Sequence, residues 1–210
     1  MAKYSKSDLE RDISQIWSIY TNSYEYFNCL NQLKNYKKSE YTDSRFMSFV
    51  FYTSWYVLII ELCKVYQNNN KSQHFNVYCL LNKLINNYKD LDFKALISLE
   101  ELNRLKSLFN APEIIDIRDR LIVLRDKFYA HFDREKLEKE VNIQLGEIDI
   151  ILSLLKDFIS EIKIKVFRSQ IDFDNDIFIH INKVMECIDE SNKRYHDEII
   201  CKFNEESKGI

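Results

Sequence analysis

An arginine, an aspartate and a histidine lie close together in the stretch LRDKFYAHFD, residues 124–133. Imidazole titrates near neutral pH, so His131 can move protons to or from a reacting group. The guanidinium of Arg125 is forked and permanently charged, which suits it to hold a phosphate and the charge that develops on its oxygens. These residue types predict proton transfer beside an anionic group, with Arg125 and His131 as candidate catalytic residues.

The spacing of these two residues limits how one helix can combine them. Six residues advance an ideal helix by about 9 Å and turn it by roughly 120°, so Arg125 and His131 do not meet within a regular helix. Apolar residues at steps of three and four predict a buried stripe whose next position is His131; the stripe is Ile114, Ile117, Leu121, Leu124 and Phe128. A complete site therefore needs a distorted helix end or a second copy of the chain, because a twofold dimer gathers two arginines and two histidines around one groove.

The composition favours an all-helical protein. Two glycines and one proline among 210 residues leave few ways to build the tight turns of hairpins and sandwiches. The formal net charge of -3 gives no overall field that would gather nucleic acid, so RNA or DNA binding needs a local patch. Between Glu113 and Lys139 there are seven basic and seven acidic residues, so a groove there attracts RNA only where arginines converge.

Cysteine and histidine usage argues against a metal site. The five cysteines are scattered without close pairs, which fits reduced thiols in the cytoplasm better than disulfides or zinc. No HExxH pair is present, so we expect no metal and no other cofactor. The N-terminus has no signal-peptide core, and the uncharged run Phe46–Ile60 falls short of the ~20 residues of a membrane span. We expect a cytoplasmic protein with no membrane partner.

Periodic apolar residues and polar breaks predict the helices that position the motif. They cover about residues 4–37, 45–67, 72–88, 93–109, 112–133, 145–167 and 176–203. Ser72 is a candidate N-cap of the third, and Pro112 suits the first turn of the motif helix. The helix at 45–67 is apolar on most sides and is expected at the centre of the bundle. Residues 1–168 are expected to form the bundle and 169–210 a C-terminal helical appendage, either within the same domain or as a dimer arm.

The motif resembles that of a known family. Arg125, polar Asp126, four further residues and His131 match the signature of HEPN domains (higher eukaryotes and prokaryotes nucleotide-binding). The longer string RDKFYAHFD resembles abortive-infection AbiU-like HEPN proteins more closely. The order of elements agrees over about residues 5–165: an apolar helix ending ELCKVY, a polar loop, the LLNKL helix and then the motif helix.

This resemblance implies an up-and-down bundle of four to five core helices and a symmetric homodimer. It also implies a metal-independent endoribonuclease, acting in phage defence or as a toxin, with a composite active site at the dimer interface. RNA, such as tRNA or mRNA, is the implied substrate, and a cognate antitoxin an expected partner. Arg125 and His131 would be catalytic, with Asp126 orienting one of them.

Other residues near the motif have simpler interpretations beside the functional one. Lys127 suits a solvated helix end, Tyr129 either stacks on a base or packs in the protein, and Asp133 suits an N-cap. Some HEPN toxins carry a tyrosine at the position of Asp133, where a partner modifies it, so regulation by that route is not expected here. Arg118, Glu61 and Lys64 could line the groove, although Glu61 and Lys64 also suit a structural ion pair.

Two alternatives to the ribonuclease stay open. One is a catalytically silent HEPN module that binds RNA, a nucleotide or a partner protein. The other is a purely structural helical interaction protein, in which the motif is only a polar helix end.

Overall fold

The structure is a computed structural model that describes residues 4–35, 45–67, 76–129, 141–169, 186–187, 189–191 and 193–201. The chain divides into two compact units, Met1–Ile171 and Asp172–Ile210. The described residues of the second unit are helical and mostly exposed.

The described part of the first unit is built from helices and contains no strand, which confirms the all-α prediction. The α-helices are α1 (Lys6–Asn35), α2 (Arg45–Tyr66), α3 (Val77–Asn86), α4 (Leu99–Phe109), α5 (Pro112–Tyr129) and α6 (Leu145–Ile162). A short 3₁₀ turn, Tyr88–Asp90, follows α3, and α6 continues as a π-helical turn, Lys163–Phe167.

The core forms where the apolar faces of these helices meet. α2 packs against α1 and α5, α1 also packs against α6, and α3 packs against α4. The predicted apolar face of α6 is buried throughout: Ile148, Ile151, Leu152, Leu155, Phe158, Ile159 and Ile162. Burying one such side chain contributes about 1.5–3 kcal/mol, so this face alone is a large part of the driving force for folding.

Two helix starts differ from the prediction because capping side chains set them. α3 begins at Val77, where the Asn76 side chain accepts a hydrogen bond from the Cys79 N–H at 2.6 Å, so the prediction that Ser72 caps this helix was wrong. α4 begins at Leu99 rather than near residue 93, because Ser98 and Glu101 form a reciprocal capping box.

The prediction that α2 lies at the centre of the bundle was wrong for the N-terminal half of the helix. Its C-terminal half is buried, with Leu58, Ile59 and Leu62 fully covered, but its N-terminal half carries exposed aromatic residues. Packing against α1 and α5 covers only part of the helix circumference. By length and composition alone, Met47–Tyr66 would suffice to cross a membrane, although a core helix of a globular protein can have the same properties.

A cluster of ion pairs links α4 to the end of α6. Lys165 donates to Glu161 at 2.8 Å and also to Glu101, while Arg104 pairs with Glu161. Hydrogen bonds from Lys165 and then from the Ser98 backbone N–H lower the pKa of Glu101 to about 2. The same carboxylate thus caps α4 and joins it to α6.

We predict that acid weakens the fold through this carboxylate. Because its pKa is depressed in the folded chain, its contribution is complete above the ordinary value of 4.5 and is lost as pH falls towards about 2. Urea unfolding at pH 7, 4 and 3 should show a smaller acid-induced loss of stability for Lys165→Met than for the wild type. Lys106→Met, a charge-matched change on α4, should leave the pH dependence unchanged, and an equal slope in all three proteins would contradict the assignment.

Candidate functional site

The motif helix α5 is anchored by its buried stripe. Ile114, Ile117, Leu121 and Leu124 are all buried, as their spacing predicts. α5 begins at Pro112, where a first-turn proline costs no hydrogen bond, and it packs against α2. This packing brings the polar edge of α5, which carries Arg125, next to the C-terminal end of α2.

Arg125 is held by two neighbouring side chains. Its Nε and Nη2 atoms donate to Oδ1 of Asp126 at 3.1 and 2.7 Å, and its Nη1 atom donates to Oε1 of Gln67, just beyond the end of α2. The side chain is 19% exposed. Within the described part of the chain these contacts use three of the five guanidinium N–H donors, which leaves two that can bind an anion.

One buried neighbour of this arginine is a cysteine. Cys63 lies on α2, one turn before Gln67, and is close enough for the charges of Arg125 and Asp126 to influence its thiol. Burial is the dominant effect and raises the pKa of Cys63 to about 12, so the thiol is protonated at neutral pH. Cys63 therefore forms part of the wall of the site and has no character of a nucleophile.

Arg118 repeats the local arrangement of Arg125 two helical turns earlier. Its Nε and Nη2 atoms donate to Oδ1 of Asp119 at 2.9 and 2.8 Å, and its guanidinium lies 5.6 Å from the ring centroid of Tyr78 on α3. Its side chain is 15% exposed. Arg118 is therefore held between α5 and α3, about 10.5 Å along the helix axis from Arg125.

The remaining proposed groove residues, Glu61 and Lys64, form an ion pair with each other on α2. Among the described residues of α2 and its end, Gln67 is the hydrogen-bond partner of Arg125. His131 and Asp133 lie outside the described residues, and so do the side chains of Lys127, Phe128 and Tyr129. The described geometry is thus that of Arg125, Asp126 and Gln67.

Two features of this site were missed in the sequence. The Arg-Asp pair of the motif occurs twice at a spacing of seven residues, in IRDRL and LRDKF, and this repeat is the signal for the matching geometry of the two arginines. Gln67 had no such signal, because it contacts a residue 58 positions away. Among the described residues no group of three or more histidine, cysteine, aspartate or glutamate side chains could hold a metal ion.

The all-helical bundle and the arginine at the end of α5 are features of a HEPN-type protein. The model of the AbiU2 HEPN family matches residues 3–196, so the chain belongs to this family, which confirms the resemblance seen in the motif. The match extends beyond residue 165 into the C-terminal unit. No curated protein and no solved structure matched the chain.

We predict that Gln67 and Arg125 are energetically coupled. Gln67→Leu should lower the free energy of unfolding by about 1–2 kcal/mol, since it removes a hydrogen bond to a charged and mostly buried group. In an Arg125→Met background the same substitution should cost much less, and urea unfolding of the four proteins gives the coupling energy directly. Gln15→Leu, an exposed position on α1, serves as the control. Equal costs in both backgrounds would show that the two side chains do not interact.

Proposed function

We propose that this protein is a metal-independent HEPN-type endoribonuclease that acts in phage defence or as a toxin. The observation that carries the proposal is the state of Arg125, which is fixed by Asp126 and Gln67 and has two N–H donors left for a phosphate. Membership of the AbiU2 HEPN family supports a role in abortive infection.

The proposed reaction needs one proton-transfer group and one charge-stabilising group. His131 accepts the proton of a ribose 2′ hydroxyl, whose oxygen attacks the adjacent phosphorus, and the resulting imidazolium gives a proton to the leaving 5′ oxygen. The P–O5′ bond breaks, which leaves a 2′,3′-cyclic phosphate and a 5′ hydroxyl. Arg125 stabilises the negative charge that develops on the phosphate oxygens, so these two side chains are sufficient for the chemistry.

Asp126 has a positioning role in this proposal. It accepts hydrogen bonds from two nitrogens on one edge of the guanidinium, which fixes the plane of Arg125 before a substrate binds. A fixed guanidinium loses less conformational entropy when it meets a phosphate.

We further propose that the active site is shared between two copies of the chain. Arg125 and His131 are six positions apart, which a regular helix places on different faces. A homodimer in which one copy supplies the arginine and the other the histidine overcomes this separation. The same proposal includes RNA, such as tRNA or mRNA, as the substrate and a cognate antitoxin as a partner. It also includes a cytoplasmic location and no membrane partner.

A second candidate function is a catalytically silent module that binds RNA, a nucleotide or a partner protein. The charges of α5 favour it, because Arg118, Arg120 and Arg125 each pair with a carboxylate of the same helix. Such a protein would cut no RNA at any pH or metal concentration tested, while its melting temperature would rise on adding RNA or nucleotides.

We predict that His131→Ala and Arg125→Ala each reduce RNA cleavage at least 100-fold, in the range expected when a proton-transfer group or an oxyanion donor is lost. Arg125→Lys should also be strongly impaired, because it keeps the charge but loses the fork. The assay is cleavage of labelled RNA in the presence of EDTA, with detection of the cyclic phosphate end. His196→Ala and Arg194→Ala change exposed residues outside the motif and serve as matched controls. Full activity of either motif variant would exclude the mechanism.

We predict that a mixture of two inactive variants regains activity if the site is shared. In a heterodimer of Arg125→Ala and His131→Ala subunits, one of the two sites contains both wild-type side chains. Random mixing should therefore restore about a quarter of the wild-type sites. The heterodimer can be purified with a different tag on each subunit. If it has no activity, Arg125 and His131 of one site belong to the same chain.

A further inference from the structure

One face of α2 carries three exposed aromatic rings. Phe49 is 66%, Tyr52 57% and Tyr56 40% exposed, and steps of three and four residues place them in a line that we call the aromatic stripe. The rings of Tyr52 and Tyr56 are stacked, with centroids 6.5 Å apart and an interplanar angle of 29°. Three exposed rings in line on one helix form an apolar patch that can serve as an interaction site.

The charges around the stripe suit a polyanion. The sequence from Arg45 to Ile60 contains one cation, the exposed Arg45, and no acidic residue. Lys64 is exposed towards the other end of the same helix, and the one acidic residue of α2, Glu61, is paired with it. A cation beside exposed aromatic rings, on a stretch without carboxylates, suits single-stranded nucleic acid, because bases stack on the rings while the cation meets the phosphates.

The stripe leads towards the candidate active site. α2 is one helix from Arg45 to Tyr66, and Gln67 directly beyond it contacts Arg125. Phe49 lies about 27 Å from Gln67 along the axis, and successive residues of the stripe are separated by a helical rise of about 4.5 and 6 Å. These steps exceed the ~3.4 Å spacing of stacked bases in a duplex, so they suit an extended strand with one base per ring.

The stripe alone is too small to hold a second copy of the chain. With roughly 200 Å² for a fully exposed ring side chain, the three residues expose about 300 Å². Each partner of a stable protein interface contributes about 800 Å², so the stripe by itself supplies less than half of such an interface. A single strand of RNA is narrow enough to be held by one line of side chains.

We propose that the aromatic stripe of α2 binds single-stranded RNA by base stacking and guides the strand towards Arg125. This inference rests on the proposed ribonuclease function for its choice of ligand and adds the location of the substrate track. Duplex RNA is not bound there, because its bases are stacked on each other and paired.

The test measures binding separately from cleavage. A fluorescent 2′-O-methyl oligouridylate of 12 nucleotides lacks the attacking hydroxyl, and its affinity for the full chain is measured by anisotropy. Tyr52→Ala and Phe49→Ala should each weaken binding about fivefold, the lower end of the range for loss of one base–aromatic stack. Tyr52→Phe should bind like the wild type, and Arg45→Gln should bind more weakly with a reduced salt dependence.

Tyr195→Ala is the matched control, because it removes a tyrosine that is 67% exposed in the C-terminal unit. It should leave the affinity unchanged. Thermal melting checks that each variant is folded, and exposed positions are expected to cost little stability.

Three results would overturn the proposal. The first is equal affinity of Tyr52→Ala, Phe49→Ala and the wild type for the single strand. The second is a change of oligomeric state in light scattering with RNA affinity per chain unaltered, which would assign the face to a second copy. The third is stripe-dependent binding to phosphatidylethanolamine and phosphatidylglycerol vesicles without stripe-dependent RNA binding, which would assign it to a membrane surface.

The outcome is distinguishable from that of the proposed function. If the wild type cuts RNA through Arg125 but the stripe variants bind normally, the track is wrong and the ribonuclease stands. If the stripe variants lose affinity while the wild type cuts no RNA, the stripe is an RNA-binding site of a protein that is not a ribonuclease.

Discussion

The packing of α2 against α5 is the contact on which the site depends. It covers the apolar stripe of α5 and at the same time brings Gln67 against Arg125. A guanidinium that loses most of its water needs hydrogen-bond partners, because an unpaired buried charge is costly. Asp126 and Gln67 meet that need from two sides and fix the direction of the remaining donors. A stable helix contact and an oriented cation are therefore the same structural feature.

The three arginines of α5 show why a charge count is a poor guide to what a surface can bind. Arg118 lies over Tyr78, and Arg120 joins Asp116 on its own helix to Glu147 at the start of α6. Both stabilise contacts between helices. Arg125 pairs with the aspartate that follows it, as Arg118 does. It lies near the C-terminal end of α5, however, where its second partner is the uncharged side chain of Gln67. Position along the helix, more than net charge, separates the structural cations from the candidate functional one.

The sequence predicted those features that local patterns determine. Helical periodicity identified the buried faces of α5 and α6, and Pro112 marked the start of α5. The starts of α3 and α4 were placed wrongly because several polar residues compete as caps, and only the folded chain shows that Asn76 and Ser98 make the bonds. Gln67 could not be found at all, since a hydrogen bond across 58 residues leaves no trace in local composition.

The exposed aromatic residues in the N-terminal half of α2 were not predicted, and the reason differs from that for the helix starts. An apolar helix face predicts burial only if another element covers it, and the number of neighbours is a property of the whole fold. α2 packs against α1 and α5, and its last turns are buried while Phe49 and Tyr52 stay in contact with water. Water contact with such rings forgoes the stabilisation that burial would supply, so the arrangement is understandable if a ligand covers them in use. Because the open and buried halves belong to one continuous helix, a strand bound at the first is held in a fixed relation to the guanidinium beside the second.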